Sequence, residues 1–205
     1  MMVKDGIYYA LALVPVGAAL SWALDPAAGA PFLVAALFCL YFFRDPERQV
    51  PAGPVAVSPA DGRIVDLRPG AEGGQRVSIF LSVFDVHVNR SPIGGRICEV
   101  RYAPGKFKIA TLAQASAENE QNVLVVEDGR SRVVFRQIAG LIARRIVCHK
   151  KTGDTVEKGE RIGLIKFGSR MDVELGPEWQ LAVRLGDRVK AGSTILASRP
   201  ETGAG

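Results

Sequence analysis

Two short sequence patterns each occur twice in this 205-residue chain, and both recur at a spacing of 33 residues. Residues 58–68 (SPADGRIVDLR) match residues 91–101 (SPIGGRICEVR), and residues 153–162 (GDTVEKGERI) match residues 186–195 (GDRVKAGSTI). In the second pattern, Gly-Asp is typical of a turn, the valine of a core position, and the second glycine of a sharp reversal into the next apolar strand. The two copies of each unit predict a pseudo-symmetric β domain.

The repeats differ at one position that bears on function. Where the first copy has Asp61, the second has Gly94. Because the second copy forms its turn without a carboxylate, the fold does not require one at this position. Asp61 is therefore a candidate functional residue.

The pattern of residue types in residues 44–205 predicts a mainly β domain, because short Val- and Ile-rich runs alternate there with Gly, Pro and Asp. The repeated turn resembles that of biotinyl/lipoyl carrier domains, so we expect a barrel-sandwich hybrid. Residues 106–119 are expected to form a short helix or a long loop. Strands are predicted at Arg63–Leu67, Arg76–Val83, Gly95–Tyr102, Asn122–Glu127, Ser131–Gln137, Arg144–Cys148, Arg161–Lys166, Met171–Leu175 and Ile195–Ser198.

Residues 1–43 read as a separate apolar helical hairpin. Residues 6–24 and 26–43 carry no charge, and each run is close to the length of about 17–20 residues that spans a bilayer. Two successive apolar runs without a strongly basic start argue against a cleaved signal peptide. A hairpin buried in a protein core stays open, but we favour a membrane hairpin that spans the bilayer or lies in one leaflet. Lys4 before it and Arg44 after it favour placing both ends in the cytoplasm.

Charge and cysteine content narrow the partners. Residues 1–43 carry a net charge of −1, so residues 44–205 carry +6, which favours attraction to anionic lipid. No recognition motif for nucleic acid accompanies this charge. Cys39, Cys98 and Cys148 lack the spacing of metal ligands, so free thiols and no metal site are expected.

The segment Phe167–Arg170 (FGSR) joins two predicted strands. A serine hydroxyl can attack the carbonyl carbon just before it, and glycine at that position lets the backbone bend into range. Elimination and hydrolysis then convert the serine into a pyruvoyl group, an electrophilic ketone at a new chain start. Since Gly-Ser is also common in turns, Gly168 and Ser169 alone do not decide between a turn and a cleavage site.

The two histidines lie in different settings. His149 is surrounded by basic residues and is expected at a solvated edge. Asp85, His87 and Asn89 alternate with valines, so in a strand they would share one face. His87 is therefore the candidate for chemistry.

The order of several motifs along nearly the whole chain resembles the phosphatidylserine decarboxylase family in its short form. The motifs are the apolar N-terminal pair, Phe43–Pro46 (FRDP), Ser58–Gly62 (SPADG), Phe84–Arg90 (FDVHVNR), Pro104–Phe107 (PGKF), Glu118–Asn122 (ENEQN) and Phe167–Arg170 (FGSR). The resemblance implies self-cleavage between Gly168 and Ser169. The products would be a β chain of residues 1–168 and an α chain of residues 169–205 that starts with pyruvoyl.

The same resemblance implies the site and the reaction. Asp61, His87 and Ser169 match the family's triad, in which His87 takes the proton of the serine hydroxyl and Asp61 orients the imidazole. The pyruvoyl ketone would serve as the electron sink that turns phosphatidylserine into phosphatidylethanolamine, without a metal or pyridoxal phosphate. Longer members carry a second histidine where this chain has Arg90, so His87 is expected to serve both cleavage and decarboxylation.

A lipid substrate implies a membrane partner. We expect the enzyme at the inner cell membrane with its catalytic domain on the cytoplasmic side, and a homodimer is compatible with this interpretation. Lys106, Phe107 and Lys108 are candidates for contact with the lipid interface, the lysines with phosphates and the phenylalanine with acyl chains; an ordinary exposed loop is the alternative.

Two other functions are consistent with parts of the sequence. A membrane-anchored carrier or adaptor would share the lipoyl-like fold, but a carrier needs a modifiable lysine at a hairpin tip, where this chain has Gly168 and Ser169. An adaptor would normally insert a long helical segment, and none is visible. A pyruvoyl enzyme acting on a serine-headgroup ether lipid or on a soluble amino acid is the other alternative, and the apolar hairpin argues against the soluble substrate.

Overall fold

The computed structural model describes residues 3–106, 118–140, 145–166 and 168–200. The chain divides into two units, Met1–Glu47 and Arg48–Gly205. The first contains two helices and the second is built from strands, in agreement with the predicted fold class.

The first unit is a pair of packed apolar helices, α1 (Lys4–Ala23) and α2 (Pro26–Phe42). The Asp25 side chain caps α2 by accepting from the N–H of Ala27 at 2.7 Å, and this cap ends the turn between the helices. A Cβ atom on Gly29 would lie 2.1 Å from the carbonyl oxygen of Gly17, so glycine lets the two backbones approach. By length and composition α1 is apolar enough to cross a membrane, whereas α2 is shorter.

The second unit contains one large and two small sheets. The large sheet is curled and has the strand order β13-β2-β3-β11-β7-β6-β5-β9, and the small sheets have the orders β1-β14-β12 and β4-β10-β8. A short 3₁₀ turn lies at Ala71–Gly73. The strands are β1 (Val55–Val57), β2 (Gly62–Pro69), β3 (Gln75–Leu81), β4 (Val88–Arg90), β5 (Gly95–Ala103), β6 (Gln121–Glu127), β7 (Arg132–Ala139), β8 (Ile146–Cys148), β9 (Thr155–Val156), β10 (Arg161–Ile165), β11 (Ser169–Leu175), β12 (Gln180–Leu181), β13 (Arg188–Val189) and β14 (Ile195–Ser198).

The sequence repeats are structural repeats, and their copies pair crosswise. The 58–68 copy pairs with the 186–195 copy through β2 and β13, and the 91–101 copy pairs with the 153–162 copy through β5 and β9. Equivalent hydrogen bonds recur in both halves at nearly equal lengths. They are Ile64 N to Asp187 O (2.9 Å) and Ile97 N to Asp154 O (2.8 Å), and Gly192 N to Ser58 O (2.8 Å) and Gly159 N to Ser91 O (2.9 Å).

The glycine that starts each repeated strand is required by close backbone contact. Gly62 and Gly95 have φ of +153° and +154°. A Cβ atom would lie 2.2 Å from the carbonyl oxygen of Phe80 in the first case and 2.3 Å from that of Glu127 in the second. Any side chain would therefore push the neighbouring strand away.

Strand β11 lies in the middle of the large sheet, between β3 and β7. Its side chains alternate, so that Met171 and Val173 belong to the buried core while Arg170 and Asp172 point to the other face. Ser169, the first residue of the strand, lies on the core side opposite Leu81 and Ala139. The strand was predicted to begin at Met171, and its earlier start places Ser169 inside the sheet.

Candidate active site

The chain passes from a small sheet to the large sheet at the predicted cleavage position. β10 ends at Ile165 and β11 begins at Ser169. Gly168 has φ of +63°, a conformation that favours glycine, and a Cβ atom there would meet nothing within 4 Å. Glycine is therefore needed at this junction for the backbone angle and not for space.

Ser169 is a buried hydroxyl without a partner. Its exposed fraction is 0%, and its Oγ has no hydrogen-bond partner among the residues the structure describes. A buried polar group left unpaired costs about 1–3 kcal/mol, so such groups are uncommon in folded proteins and often mark a reactive position. The hydroxyl is thus held next to the Gly168–Ser169 peptide bond without a competing hydrogen bond in the described residues.

His87 faces this peptide bond. The pairing of β4 with β10 brings it to the junction, where its carbonyl oxygen accepts from the N–H of Ile165 at 3.3 Å. Its Nδ1 lies 2.9 Å from the carbonyl oxygen of Asp85, which can only accept, so Nδ1 carries the proton. Nε2 is then an acceptor, and the N–H of Gly168 donates to it at 3.3 Å. The acceptor nitrogen of His87 thus contacts Gly168, the residue that precedes the bond marked by the sequence for cleavage.

The predicted polar strand face is wrong. Strand β4 covers only Val88–Arg90, and Asp85 lies in a turn before it, where its carboxylate accepts from the N–H and the hydroxyl of Ser82. His87 and both neighbouring valines are buried. The reason is that the Asp85 turn bends the chain, so period-two alternation does not apply before Val88.

Asp61 is held by a cation and a backbone donor. Both carboxylate oxygens accept from Nη2 of Arg48, at 2.8 and 2.9 Å, and one also accepts from the N–H of Ala191 at 2.8 Å. Burial raises the pKa of Asp61 above its ordinary value, and the negative charge of Asp85 raises it further. The hydrogen bonds from Ala191 and Arg48 and the positive charge of Arg48 lower the pKa but do not cancel this rise. The sequence interpretation gave Asp61 the task of orienting the imidazole. In the structure the carbonyl oxygen of Asp85 accepts from Nδ1 of His87.

The pseudo-symmetry allows the surroundings of Asp61 to be compared with those of Gly94, its equivalent in the second half. Lys158 occupies in the second half the place that Ala191 occupies in the first, and a Cβ atom on Gly94 would lie 3.3 Å from the backbone nitrogen of Lys158. The same N–H is thus presented in both halves, but only the first half places a carboxylate against it. This supports the inference that the turn itself does not require the carboxylate of Asp61.

Arg90, at the position of the missing second histidine, takes part in the repeat architecture. Its side chain is buried, Nη1 donates to the carbonyl oxygen of Gly159 at 3.0 Å, and its aliphatic part packs against Gly192. It joins the two repeated turns.

A chain of buried amides near the junction was missed by the sequence analysis. Nδ2 of Asn122 donates to Oε1 of Gln137 at 3.1 Å, and Nε2 of Gln137 donates to Oδ1 of Asn89 at 2.9 Å. Gln137 lies on the core side of β7, two residues before Ala139, which pairs with Ser169. Polar residues at core positions of otherwise apolar strands are the signal that could have revealed them.

The remaining predicted contacts are placed as follows. Lys106 is exposed and its Nζ lies 3.0 Å from Oε2 of Glu118, while Phe107 and Lys108 lie outside the described residues. Within the described ranges no group of three His, Cys, Asp or Glu side chains is arranged to hold a metal ion. A cavity of about 430 Å³ lies at the other end of β11, against Leu175, and is separate from the junction.

Comparisons with known proteins agree on one family. The sequence model of the phosphatidylserine decarboxylase family matches residues 35–197. A protein from Solibacter usitatus named phosphatidylserine decarboxylase proenzyme is 59% identical over 199 residues, which cover 97% of each chain. Proteins with the same name from Solidesulfovibrio magneticus and Ruegeria pomeroyi are 47% and 53% identical, and cover 98% and 78% of this chain and 97% and 78% of their own.

Proposed function

The chain belongs to the phosphatidylserine decarboxylase family, and on this premise we propose that it is made as a proenzyme, cleaves itself between Gly168 and Ser169, and converts phosphatidylserine to phosphatidylethanolamine. The observation that carries the proposal is that Gly168 lies between a buried serine hydroxyl, which has no hydrogen-bond partner among the described residues, and an imidazole whose acceptor nitrogen contacts the Gly168 N–H.

Self-cleavage follows from these two groups. Nε2 of His87 takes the proton of the Ser169 hydroxyl, and Oγ attacks the carbonyl carbon of Gly168. The C–N bond breaks, the amine of Ser169 is released, and an ester joins the two residues. Elimination then breaks the Cβ–Oγ bond, so the serine oxygen leaves with the new carboxylate of Gly168. Water hydrolyses the dehydroalanine that remains, which releases ammonia and forms the pyruvoyl group.

The surroundings of residue 169 fit such a group. The position is fully buried between Leu81 and Ala139, and no described residue competes for its oxygen. The pyruvoyl group supplies an electron-withdrawing ketone that takes up the amine of the serine headgroup and accepts the electrons released as carbon dioxide leaves.

His87 and Asp61 divide the remaining work. His87 is held through Nδ1, so the same Nε2 atom that removes a proton during cleavage is placed to hold the proton that replaces carbon dioxide. The carboxylate of Asp61 is close enough to Asp85 for their negative charges to interact, and the carbonyl oxygen of Asp85 holds the imidazole. We propose that this charge favours the imidazolium that forms when His87 takes the serine proton.

The two products of cleavage are expected to remain one particle. The α chain of residues 169–205 contributes β11 to the middle of the large sheet, with neighbours on both sides from the β chain. It also contributes β13, which pairs with β2, and β14, which pairs with β1. Breaking one peptide bond leaves all of these ladders in place.

The first unit is proposed to attach the enzyme to the inner membrane, with the catalytic unit on the cytoplasmic side. Large apolar side chains are exposed on both helices, and Trp22 is 91% exposed. A diacyl lipid stays in the bilayer, so an enzyme that acts on it gains from an apolar anchor.

The proposed lipid contact at Lys106, Phe107 and Lys108 has its own test. We expect the double variant Lys106→Glu/Lys108→Glu to float less well with phosphatidylserine-containing liposomes and to turn over more slowly. Lys151→Glu/Lys190→Glu, at two exposed positions of the catalytic unit, is the matched control for net charge. Liposome binding and turnover equal to those of the control would refute the contact.

Intact mass tests the main proposal. The wild-type protein should yield chains of residues 1–168 and 169–205, the smaller one blocked to Edman degradation and lighter by one ammonia than a chain with free serine. Ser169→Ala should stay a single chain. A single wild-type species of 205 residues under native conditions would refute the proposal.

A further inference from the structure

Arg170, the residue after the cleavage position, is buried on the face of the sheet opposite the core. Its exposed fraction is 2%. Nε donates to Oδ1 of Asp172 at 2.7 Å, Nη2 donates to Oγ of Ser78 at 2.6 Å, and Nη2 lies 3.5 Å from Oδ2 of Asp66. One guanidinium thus connects three adjacent strands, β11, β3 and β2.

The pairing register makes this connection. Asp172 lies opposite Ser78, and Ser78 lies opposite Asp66, so the three acceptors form a row across the sheet. The direct neighbours of Arg170 are Phe80 and Ile138, which offer no acceptor in their side chains. The arginine therefore reaches along its own strand to the row two residues further, and its planar fork contacts two different acceptors at once.

Cleavage changes what holds residue 169. In the uncleaved chain it is fixed by peptide bonds on both sides. Once the bond to Gly168 is broken, residue 169 becomes a chain end, and chain ends fray unless they are tied down. The ladder pairs to Leu81 and Ala139 remain, but they are the last pairs of β11.

We propose that Arg170 is a positioning residue whose guanidinium, tied to Asp172, Ser78 and Asp66, holds the start of the α chain, and with it the group formed from Ser169, in place after cleavage. This inference rests on the proposed self-cleavage. Its effect concerns the cleaved protein, since the uncleaved chain holds residue 169 without help.

Hydrogen exchange read by mass spectrometry tests the inference without an activity measurement. Arg170→Lys keeps the charge but loses the fork, and Ser78→Ala removes one contact and leaves the ion pair with Asp172 intact. In the cleaved variants the amides of residues 170–172 should exchange at least about tenfold faster than in the cleaved wild type. The same variants combined with Ser169→Ala, which cannot cleave, should exchange like Ser169→Ala alone.

A matched control lies further along the same strand. Oε1 of Glu174 contacts Nη1 of Arg136 at 2.6 Å on the same sheet face, so Glu174→Gln removes an ion pair from β11 away from its start. This variant should leave the exchange of residues 170–172 unchanged. In turnover of phosphatidylserine by cleaved enzyme, Arg170→Lys should lower kcat about tenfold or more at unchanged KM, because misplacement of a reacting group affects the chemical step.

The outcomes separate the two proposals. If Arg170→Lys and Ser78→Ala cleave and their amides exchange as in the wild type, the positioning role is refuted. If Glu174→Gln accelerates the same exchange to the same extent, the effect is general loosening of the sheet and the inference is again refuted. If the wild type itself is never cleaved, the proposed self-cleavage is refuted, and the positioning role, which acts only in the cleaved protein, is refuted with it. If the wild type is cleaved and the exchange in the variants is unchanged, only the positioning role is refuted.

Discussion

Replacement of His87 by alanine should slow self-cleavage far more than it lowers stability. The side chain makes two hydrogen bonds, from Nδ1 to the carbonyl oxygen of Asp85 and from the N–H of Gly168 to Nε2. Each is worth about 1 kcal/mol, and the cavity left by a fully buried ring adds a similar amount. We therefore expect a loss of about 2–4 kcal/mol in the free energy of unfolding.

The kinetic effect should be larger. A positioned general base contributes about 10²–10⁴-fold to a rate, which corresponds to about 3–5 kcal/mol of the activation barrier. The half-time of cleavage should rise by the same factor of about 10²–10⁴.

The assay is a time course of intact mass on freshly purified protein, with thermal unfolding measured on the same sample. His149→Ala is the matched control, because His149 is the other histidine of the chain and its side chain is exposed. It should cleave at the wild-type rate. The role of His87 in the mechanism would be refuted if His87→Ala protein is folded at the assay temperature and its rate of self-cleavage is within about threefold of the wild-type rate.

Three further predictions concern other parts of the site and fold. Asp61→Ala should cleave slowly or not at all in the intact-mass assay, because it removes the negative charge that is proposed to favour the imidazolium, and normal cleavage would exclude Asp61 from the mechanism. Gly62→Ala and Gly95→Ala should each lower the free energy of unfolding by about 2–4 kcal/mol in urea titrations, because the new Cβ would lie 2.2 or 2.3 Å from a backbone oxygen of the neighbouring strand; equal losses are expected from the pseudo-symmetry, and a neutral result at either glycine would contradict it. Burial raises the pKa of Asp128, but the hydrogen bonds from Arg199 and two backbone N–H groups outweigh it and hold the pKa below the ordinary 3.8. The stability that this ion pair contributes is thus fully present above pH 3.8 and is lost as the pH falls through the lowered pKa of Asp128. Asp128→Asn should therefore reduce the loss in the free energy of unfolding between about pH 5 and about pH 2.

Local patterns were sufficient for several features of this protein. The recurrence of two units at a spacing of 33 residues indicated a pseudo-symmetric β domain, and two uncharged runs indicated the helical pair. The comparison of Asp61 with Gly94 marked a carboxylate that the turn does not need. These inferences depend on residue type and spacing, which a single sequence displays directly.

Short strands and strand ends were beyond such patterns. β9, β12 and β13 contain two residues each, too few for a period to be visible. β11 starts at Ser169 because pairing with Leu81 and Ala139 draws it into the sheet, an effect of neighbours that are distant in sequence. The turn closed by Asp85 removed His87 from the strand in which alternation had placed it.

The sequence by itself determined the repeated architecture and the apolar hairpin and indicated the residues that are proposed to carry out self-cleavage, since these depend on composition, spacing and side-chain type. Only the tertiary structure decided how that chemistry is arranged. The β4–β10 register brings Nε2 of His87 to Gly168, and the carbonyl oxygen of Asp85 selects the tautomer. The buried contacts of Arg170 with Asp172, Ser78 and Asp66 likewise could not be predicted from the sequence alone. The hydrogen bond from Arg170 to Ser78 joins residues 92 positions apart and that from Ala191 to Asp61 joins residues 130 positions apart, and such partners are chosen by the register of the strands.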